Sequence, residues 1–119
     1  MRVAMFLCGL LVATSATAGE ADVVGVEVRK SAPGVYDFDV TVRSVDKGWS
    51  HYADAFEVLA PDGTVLGRRI LHHPHQDEQP FTRELHGVRI PAGVETVTIR
   101  ARHKPKGYDG RTLSVKLPR

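Results

Sequence analysis

The chain has 119 residues, of which 42% are hydrophobic and 25% are charged, and its formal net charge is +2. This composition excludes a disordered tail and a collagen-like repeat, and the length allows one domain. A single cysteine excludes a disulfide scaffold and a cysteine-rich metal centre, and the near balance of charge excludes a general nucleic-acid binder.

The first 18 residues are interpreted as an export signal. Arg2 supplies a positive charge, a short apolar run covers residues 5–13, and Ala16-Thr17-Ala18 has the small-x-small pattern that precedes cleavage. The apolar run is about half of the roughly 20 residues that cross a bilayer, so we expect no membrane span after cleavage. The bulky residues before Cys8 argue against a lipoprotein cleavage site there. The sequence therefore predicts a periplasmic or secreted protein whose mature domain covers residues 19–119.

The rest of the chain alternates apolar and polar residues with the period of β-strands. Segments of this kind are separated by turn residues, for example Pro61-Asp62-Gly63-Thr64, in which Pro sets the turn and Gly accepts a positive φ. No segment has a convincing helical period. Seven strands are predicted, approximately at residues 24–29, 36–43, 51–60, 65–71, 81–85, 96–103 and 113–117.

Seven short strands in about 100 residues are typical of a single antiparallel β-sandwich of the immunoglobulin or fibronectin type III kind. A small closed β-barrel is the structural alternative. The inward phase of each strand predicts the core. Its expected members are Val26, Val28, Phe38, Val40, Val42, Trp49, Phe56, Val58, Ile70, Phe81, Val97, Ile99, Leu113 and Val115.

Three longer motifs stand out within these segments: Gly48–Asp54 (GWSHYAD), Leu59–Gly67 (LAPDGTVLG) and Leu71–Arg83 (LHHPHQDEQPFTR). Together they resemble a group of small exported bacterial proteins without assigned function. The resemblance covers almost all of the mature chain and implies a periplasmic setting. It implies no activity, so it transfers no catalytic residue.

Six histidines in so small a domain are the least ordinary feature of the sequence. If the chain follows immunoglobulin topology, the second, fourth and sixth strands end at one pole and bring their loops together. Imidazoles are common ligands of copper and zinc, so this pole is a candidate metal site to which Asp77 or Glu78 could contribute. The alternative is a set of solvated loop histidines without a metal. The expected ligands are His51, His73, His75 and His103.

Basic residues are expected at the same pole and support a different hypothesis. Lys47, Lys104 and Lys106, together with Tyr108, would form a basic and aromatic rim for an anionic ligand or a partner protein. Arg102 and Arg111 are expected nearby. The alternative is an ordinary charged surface that keeps the sandwich soluble.

The motifs of common enzyme classes are not found in the sequence. No Gly-x-Ser-x-Gly nucleophile elbow and no phosphate-binding glycine loop occur. Ser50 and His51 are neighbours on a predicted strand and therefore point to opposite faces. We expect a non-enzymatic protein.

Overall fold

The computed structural model describes residues 11–13 and 17–119. Most of the predicted export signal, including Cys8, lies outside the described residues. Within the described part of the chain, all regular structure is β-strand and no helix is present. The strands are β1 (Leu11–Ala13), β2 (Ala21–Ala32), β3 (Val35–Ser44), β4 (Tyr52–Leu59), β5 (Val65–Ile70), β6 (Phe81–Arg89), β7 (Thr96–Lys104) and β8 (Leu113–Lys116).

The strands form two antiparallel sheets with a shared core. One sheet has the order β1-β8-β7-β4-β5 and the other the order β2-β3-β6. Strands β2–β8 correspond to the seven predicted from the alternating pattern, and the predicted all-β class is confirmed. Each sheet has two open edges, so the closed barrel considered as an alternative is wrong.

The core lies between the two sheets, where the apolar residues on the inner face of each sheet pack against those of the other. Phe38 and Phe81 from one sheet and Phe56 and Ile99 from the other are fully buried. Most of the predicted core residues are buried in this way, and Leu113 is partly buried against the same cluster. Gly67 allows β5 to approach β6, because a Cβ there would lie 3.1 Å from Val88.

Two predicted core residues are on the surface instead. Trp49 is 64% exposed and Ile70 is 47% exposed. Trp49 precedes β4 and lies in a loop, where no pairing strand turns it inward. Ile70 pairs with Ala55 at the end of β5, and the buried residue is its neighbour Leu71. The sequence therefore predicts the wrong side of β5 as facing the core, because the residue that turns inward is Leu71 and not Ile70.

The chain directions bring three loops to one end of the molecule, because β3, β5 and β7 all finish there. The Nε2 of His103 donates to the carbonyl of Val45 at 2.9 Å, which joins the ends of β7 and β3. The amide of His75 donates to Asp46 at 2.7 Å, which ties the segment after β5 to the same loop. The predicted meeting of these loops is confirmed. We call this end, formed by residues 45–51, 71–80 and 103–107, the histidine pole.

Candidate functional site

Asp46 is the centre of the hydrogen-bond network at the histidine pole. Its Oδ1 accepts from the Ser44 hydroxyl at 2.7 Å and from the Ala53 amide at 3.1 Å. Its Oδ2 accepts from the His75 amide. One carboxylate therefore fixes the ends of two strands and the segment that crosses between the sheets.

Gln79 provides a second anchor for the segment after β5. Its Oε1 accepts from the Ser44 amide at 2.8 Å, and its Nε2 donates to the His75 carbonyl at 3.0 Å. Glu78 forms an ion pair with Arg83 at 2.9 Å, so it is already engaged and is poorly placed to serve as a metal ligand. Much of the Leu71–Arg83 motif thus holds this loop in place.

His75 is a buried imidazole with an unusual environment. Only 6% of the residue is exposed, and its ring stacks on Phe81 with centroids 4.1 Å apart. Its Nδ1 is buried and has no hydrogen-bond partner. Burial lowers the pKa of His75, and the positive charge of Arg83 lowers it further. The surroundings of His75 therefore favour its neutral form.

His73 lies next to His75 but is open to solvent. The two ring centroids are 4.6 Å apart with the ring planes tilted by 35°. The Nδ1 of His73 donates to the carbonyl of Pro74 at 3.0 Å, which leaves its Nε2 free to bind a ligand. Both histidines are among the four ligands predicted from the sequence, and they belong to the Leu71–Arg83 motif.

His51 and His103 form a second pair at the same pole. Their ring centroids are 6.5 Å apart, and His51 is exposed while His103 is 1% exposed. The Nδ1 of His51 lies 3.2 Å from the hydroxyl of Ser50, so the expectation that these two side chains point to opposite faces is wrong. The Nδ1 of His103 is buried without a hydrogen-bond partner. The four predicted ligands thus occur as two pairs, and the described residues contain no group of three or more His, Cys, Asp or Glu that could hold a metal ion.

His72 and His86 lie outside these pairs. His72 is exposed at the start of the segment after β5. His86 is on β6, where its Nε2 lies 2.9 Å from Glu84 and its Nδ1 lies 3.6 Å from Asp37. The hydrogen bond to Glu84 raises the pKa of His86. His86 was not among the predicted ligands, and it lies on β6 apart from the two pairs.

Trp49 projects from the histidine pole into solvent. It is carried by a tight turn in which the Lys47 amide donates to the His51 carbonyl at 2.7 Å and Gly48 has a φ of 118°. The indole meets Tyr52 edge-on, with the ring centroids 5.9 Å apart. The turn and Tyr52 therefore hold the indole in a fixed and accessible position.

Three lysines lie at the same pole as this aromatic group. Lys104 pairs with Tyr52 across β4 and β7, and Lys106 lies in the turn that follows, closed by hydrogen bonds between His103 and Gly107. Lys47 precedes Trp49 in its own loop. In the part of the chain that the structure describes, these lysines are exposed and take part in no ion pair. The pole therefore combines an exposed aromatic side chain with three lysines that form no ion pair, and its segments also carry Asp46, Asp77 and Glu78.

Tyr108 lies away from this rim, on the outer face of the larger sheet. Its hydroxyl donates to Glu57 at 3.2 Å, and the guanidinium of Arg100 stacks 3.7 Å above its ring. Glu57 is fully buried and also pairs with Arg68. Sequence reasoning missed this cluster, because the alternation of β4 marks Glu57 as an ordinary outward-facing charge.

A comparison with known proteins finds a relative of this chain. The chain is 35% identical over 96 residues to a protein of Halomicrobium mukohataei named "Putative lipoprotein". The match covers 81% of this chain and 47% of the relative, so the chain spans about half the length of that protein. No family model matches the chain, and no solved structure matches it. Among the described residues, no helix has the length and apolar character needed to cross a membrane.

Proposed function

We propose that the protein is an exported β-sandwich of the fibronectin type III kind. The strand order supports this assignment, since β5 joins β4 instead of extending the sheet of β2, β3 and β6 as in immunoglobulin constant domains. The apolar leader and the similarity to a protein named as a lipoprotein support export. Mass spectrometry of the exported protein should find Gly19 as the first residue. A mass that retains residues 1–18 would contradict signal cleavage.

Its function, we propose, is to bind an acidic segment of a partner protein at the histidine pole, without catalysis. The observation that carries this proposal is Trp49, a large aromatic side chain exposed at the pole that also carries the exposed Lys47, Lys104 and Lys106. Tryptophan is enriched among the residues that dominate binding energy at protein interfaces. Positive charge around it favours an acidic partner and speeds association.

The size of the matched relative supports a modular role. A stretch of 96 residues that covers 81% of this chain makes up less than half of that protein. The same unit therefore occurs there beside further chain. Modules joined to other domains in exported proteins are commonly used for binding, with the binding loops at one end of the sandwich.

The single tryptophan makes the proposal directly testable by fluorescence. Poly-glutamate is titrated into the purified protein while the emission of Trp49 is followed. We expect a saturable change, because the only tryptophan lies inside the proposed contact. The affinity should fall steeply with salt, since exposed charges are screened within about 10 Å at 0.1 M.

A pair of charge-reversed variants provides the control. Lys104→Glu with Lys106→Glu should weaken the binding by about tenfold or more, whereas Lys116→Glu with Arg119→Glu, an identical charge change at the opposite end, should leave most of it. An equal loss of affinity in both variants would mean that binding depends only on the net charge of the protein, and it would contradict a defined binding site. No fluorescence change at low salt would also contradict it.

A copper or zinc ion at the histidine pole is a second proposal, favoured by the adjacent rings of His73 and His75. The Nε2 of His73 is available, and its Nδ1 is oriented by a carbonyl, as is usual for a histidine that binds a metal. The unpartnered Nδ1 of His75 lacks such an orienting group. The nearby lysines also disfavour a cation.

Metal titration distinguishes this second proposal from the first. If it is correct, copper should saturate near one equivalent, and His73→Ala with His75→Ala should abolish the binding while leaving the poly-glutamate response in place. His86→Ala is the matched control, because that histidine lies on β6. Binding that persists in the double variant would contradict the assignment.

A further inference from the structure

A cleft of about 390 Å³ opens at the end of the sandwich opposite the histidine pole. Tyr36, at the start of β3, forms part of its wall together with Val94 and Leu117. These three side chains belong to the hydrophobic core or pack against it. The cleft therefore has an apolar floor that is continuous with the core, and its volume falls in the range of roughly 300–1,000 Å³ typical of small-molecule sites.

Tyr36 supplies a polar group to this cleft. The residue is only 9% exposed, and its hydroxyl forms no hydrogen bond with any residue that the structure describes. The hydroxyl is not among the buried atoms that lack a partner, so it is open to solvent. A donor that lines a cleft and has no partner within the protein is placed to bond to a ligand.

The rim of the cleft carries charged groups that are also unengaged. Lys116 and Arg119 line it together with Glu95, and within the described chain none of the three takes part in an ion pair. The side chains of the rim thus carry two positive charges and one negative charge. A single anionic group suits this balance, whereas Glu95 would repel a ligand of higher negative charge.

We propose that this cleft binds a small organic anion with an apolar body and one carboxylate group. The apolar body would lie on Val94 and Leu117, and the carboxylate would accept hydrogen bonds from Arg119 and from the Tyr36 hydroxyl. Arginine binds carboxylates in a bidentate manner, and such charge-assisted hydrogen bonds are about twice as strong as neutral ones. The site is separate from the histidine pole and does not depend on the function proposed there.

Nuclear magnetic resonance with hexanoate as the probe tests the proposal on the full chain. We expect saturable shifts of the amide signals of Val94, Glu95 and Leu117. Hexanol and hexylamine have the same apolar body without the carboxylate, so each should bind at least about tenfold more weakly. Equal binding of hexanol and hexanoate would overturn the proposal, and so would shifts that appear elsewhere in the protein.

Variants separate the contributions of the cleft. Lys116→Glu with Arg119→Glu should weaken hexanoate binding by at least about tenfold, while Lys104→Glu with Lys106→Glu should leave it unchanged. Tyr36→Phe preserves the apolar packing and should weaken binding by a few-fold through loss of the hydroxyl. Unchanged affinity in the Lys116 and Arg119 variant would overturn the proposed anion site, even if the histidine pole behaves as predicted.

Discussion

Removing the two arginines that cover Glu57 tests how the larger sheet tolerates a buried charge. The Oε1 of Glu57 accepts from Arg100 at 2.8 Å and its Oε2 accepts from Arg68 at 2.5 Å, while Tyr108 contributes a weaker bond. Burial alone would raise the pKa of Glu57, but the hydrogen bonds and charges of Arg100 and Arg68 hold it below its ordinary value of 4.5. The two cations therefore offset the effect of burial and favour the ionised carboxylate.

The loss of unfolding free energy expected in the double arginine variant depends on how exposed the three side chains are. The Glu57 side chain is fully buried, whereas 51% of the Arg68 side chain and 30% of the Arg100 side chain are exposed. Breaking a buried ion pair costs about 3–5 kcal/mol of unfolding free energy. Because the arginines are partly exposed, we expect Arg68→Ala with Arg100→Ala to cost about 3 kcal/mol. Glu57→Leu removes the buried charge itself and should cost about 1 kcal/mol or less, because the arginines can turn to solvent.

Urea unfolding followed by circular dichroism measures these differences. Adding Glu57→Leu to the double arginine variant should restore about 2 kcal/mol, since no unpaired carboxylate remains. Because the folded pKa of Glu57 is lowered, the stability it contributes is present above about pH 4.5 and is lost as the pH falls further. A double arginine variant that loses less than about 1 kcal/mol, or a triple variant that is less stable still, would refute the reasoning.

Three further predictions concern the histidine pole and the core. Asp46→Ala removes three hydrogen bonds and should cost at least about 2 kcal/mol in urea unfolding, so a cost below about 0.5 kcal/mol would contradict its anchoring role. His75→Phe keeps the stacking on Phe81 and removes an unpartnered nitrogen, so it should gain about 1 kcal/mol at neutral pH. Because the folded pKa of His75 is lowered, the original protein loses stability below pH 6.5 and the stability difference in favour of the Phe variant should increase there. A stability difference that does not change with pH would contradict this prediction. Trp49→Ala should change the free energy of thermal unfolding by less than about 0.5 kcal/mol, because Trp49 is exposed, whereas Phe38→Ala should cost about 3–5 kcal/mol, because Phe38 is buried. Similar costs for the two variants would contradict these placements.

The sequence predicts the sheets well because burial alternates with a period of two along most strands. β3 is the clearest example, since Phe38, Val40 and Val42 face the core and the residues between them do not. β5 is short and lies at a sheet edge, and the irregular pairing between Val65 and Gly67 shifts its phase. The alternation of apolar residues does not reveal such a bulge, so the sequence predicts that Ile70 faces the core although it faces solvent.

The sites were harder to predict because they depend on contacts between distant segments. Trp49 was assigned to the core since it is large and apolar, but a loop residue is buried only if another element covers it. Glu57 lies opposite both Arg68 and Arg100, and this register depends on the pairing of three strands. The topology could be inferred from strand order, whereas the division of the histidines into two pairs depends on side-chain directions in the loops.

The most direct test of the proposed binding function is an amide chemical-shift map of the protein with poly-glutamate at low salt. We predict that the largest shifts lie in residues 47–52 and 103–107, on both sides of the Trp49 indole, and that they vanish in the Lys104→Glu and Lys106→Glu variant. Shifts centred on another surface, or an unchanged spectrum at saturating peptide, would contradict a recognition site at the histidine pole.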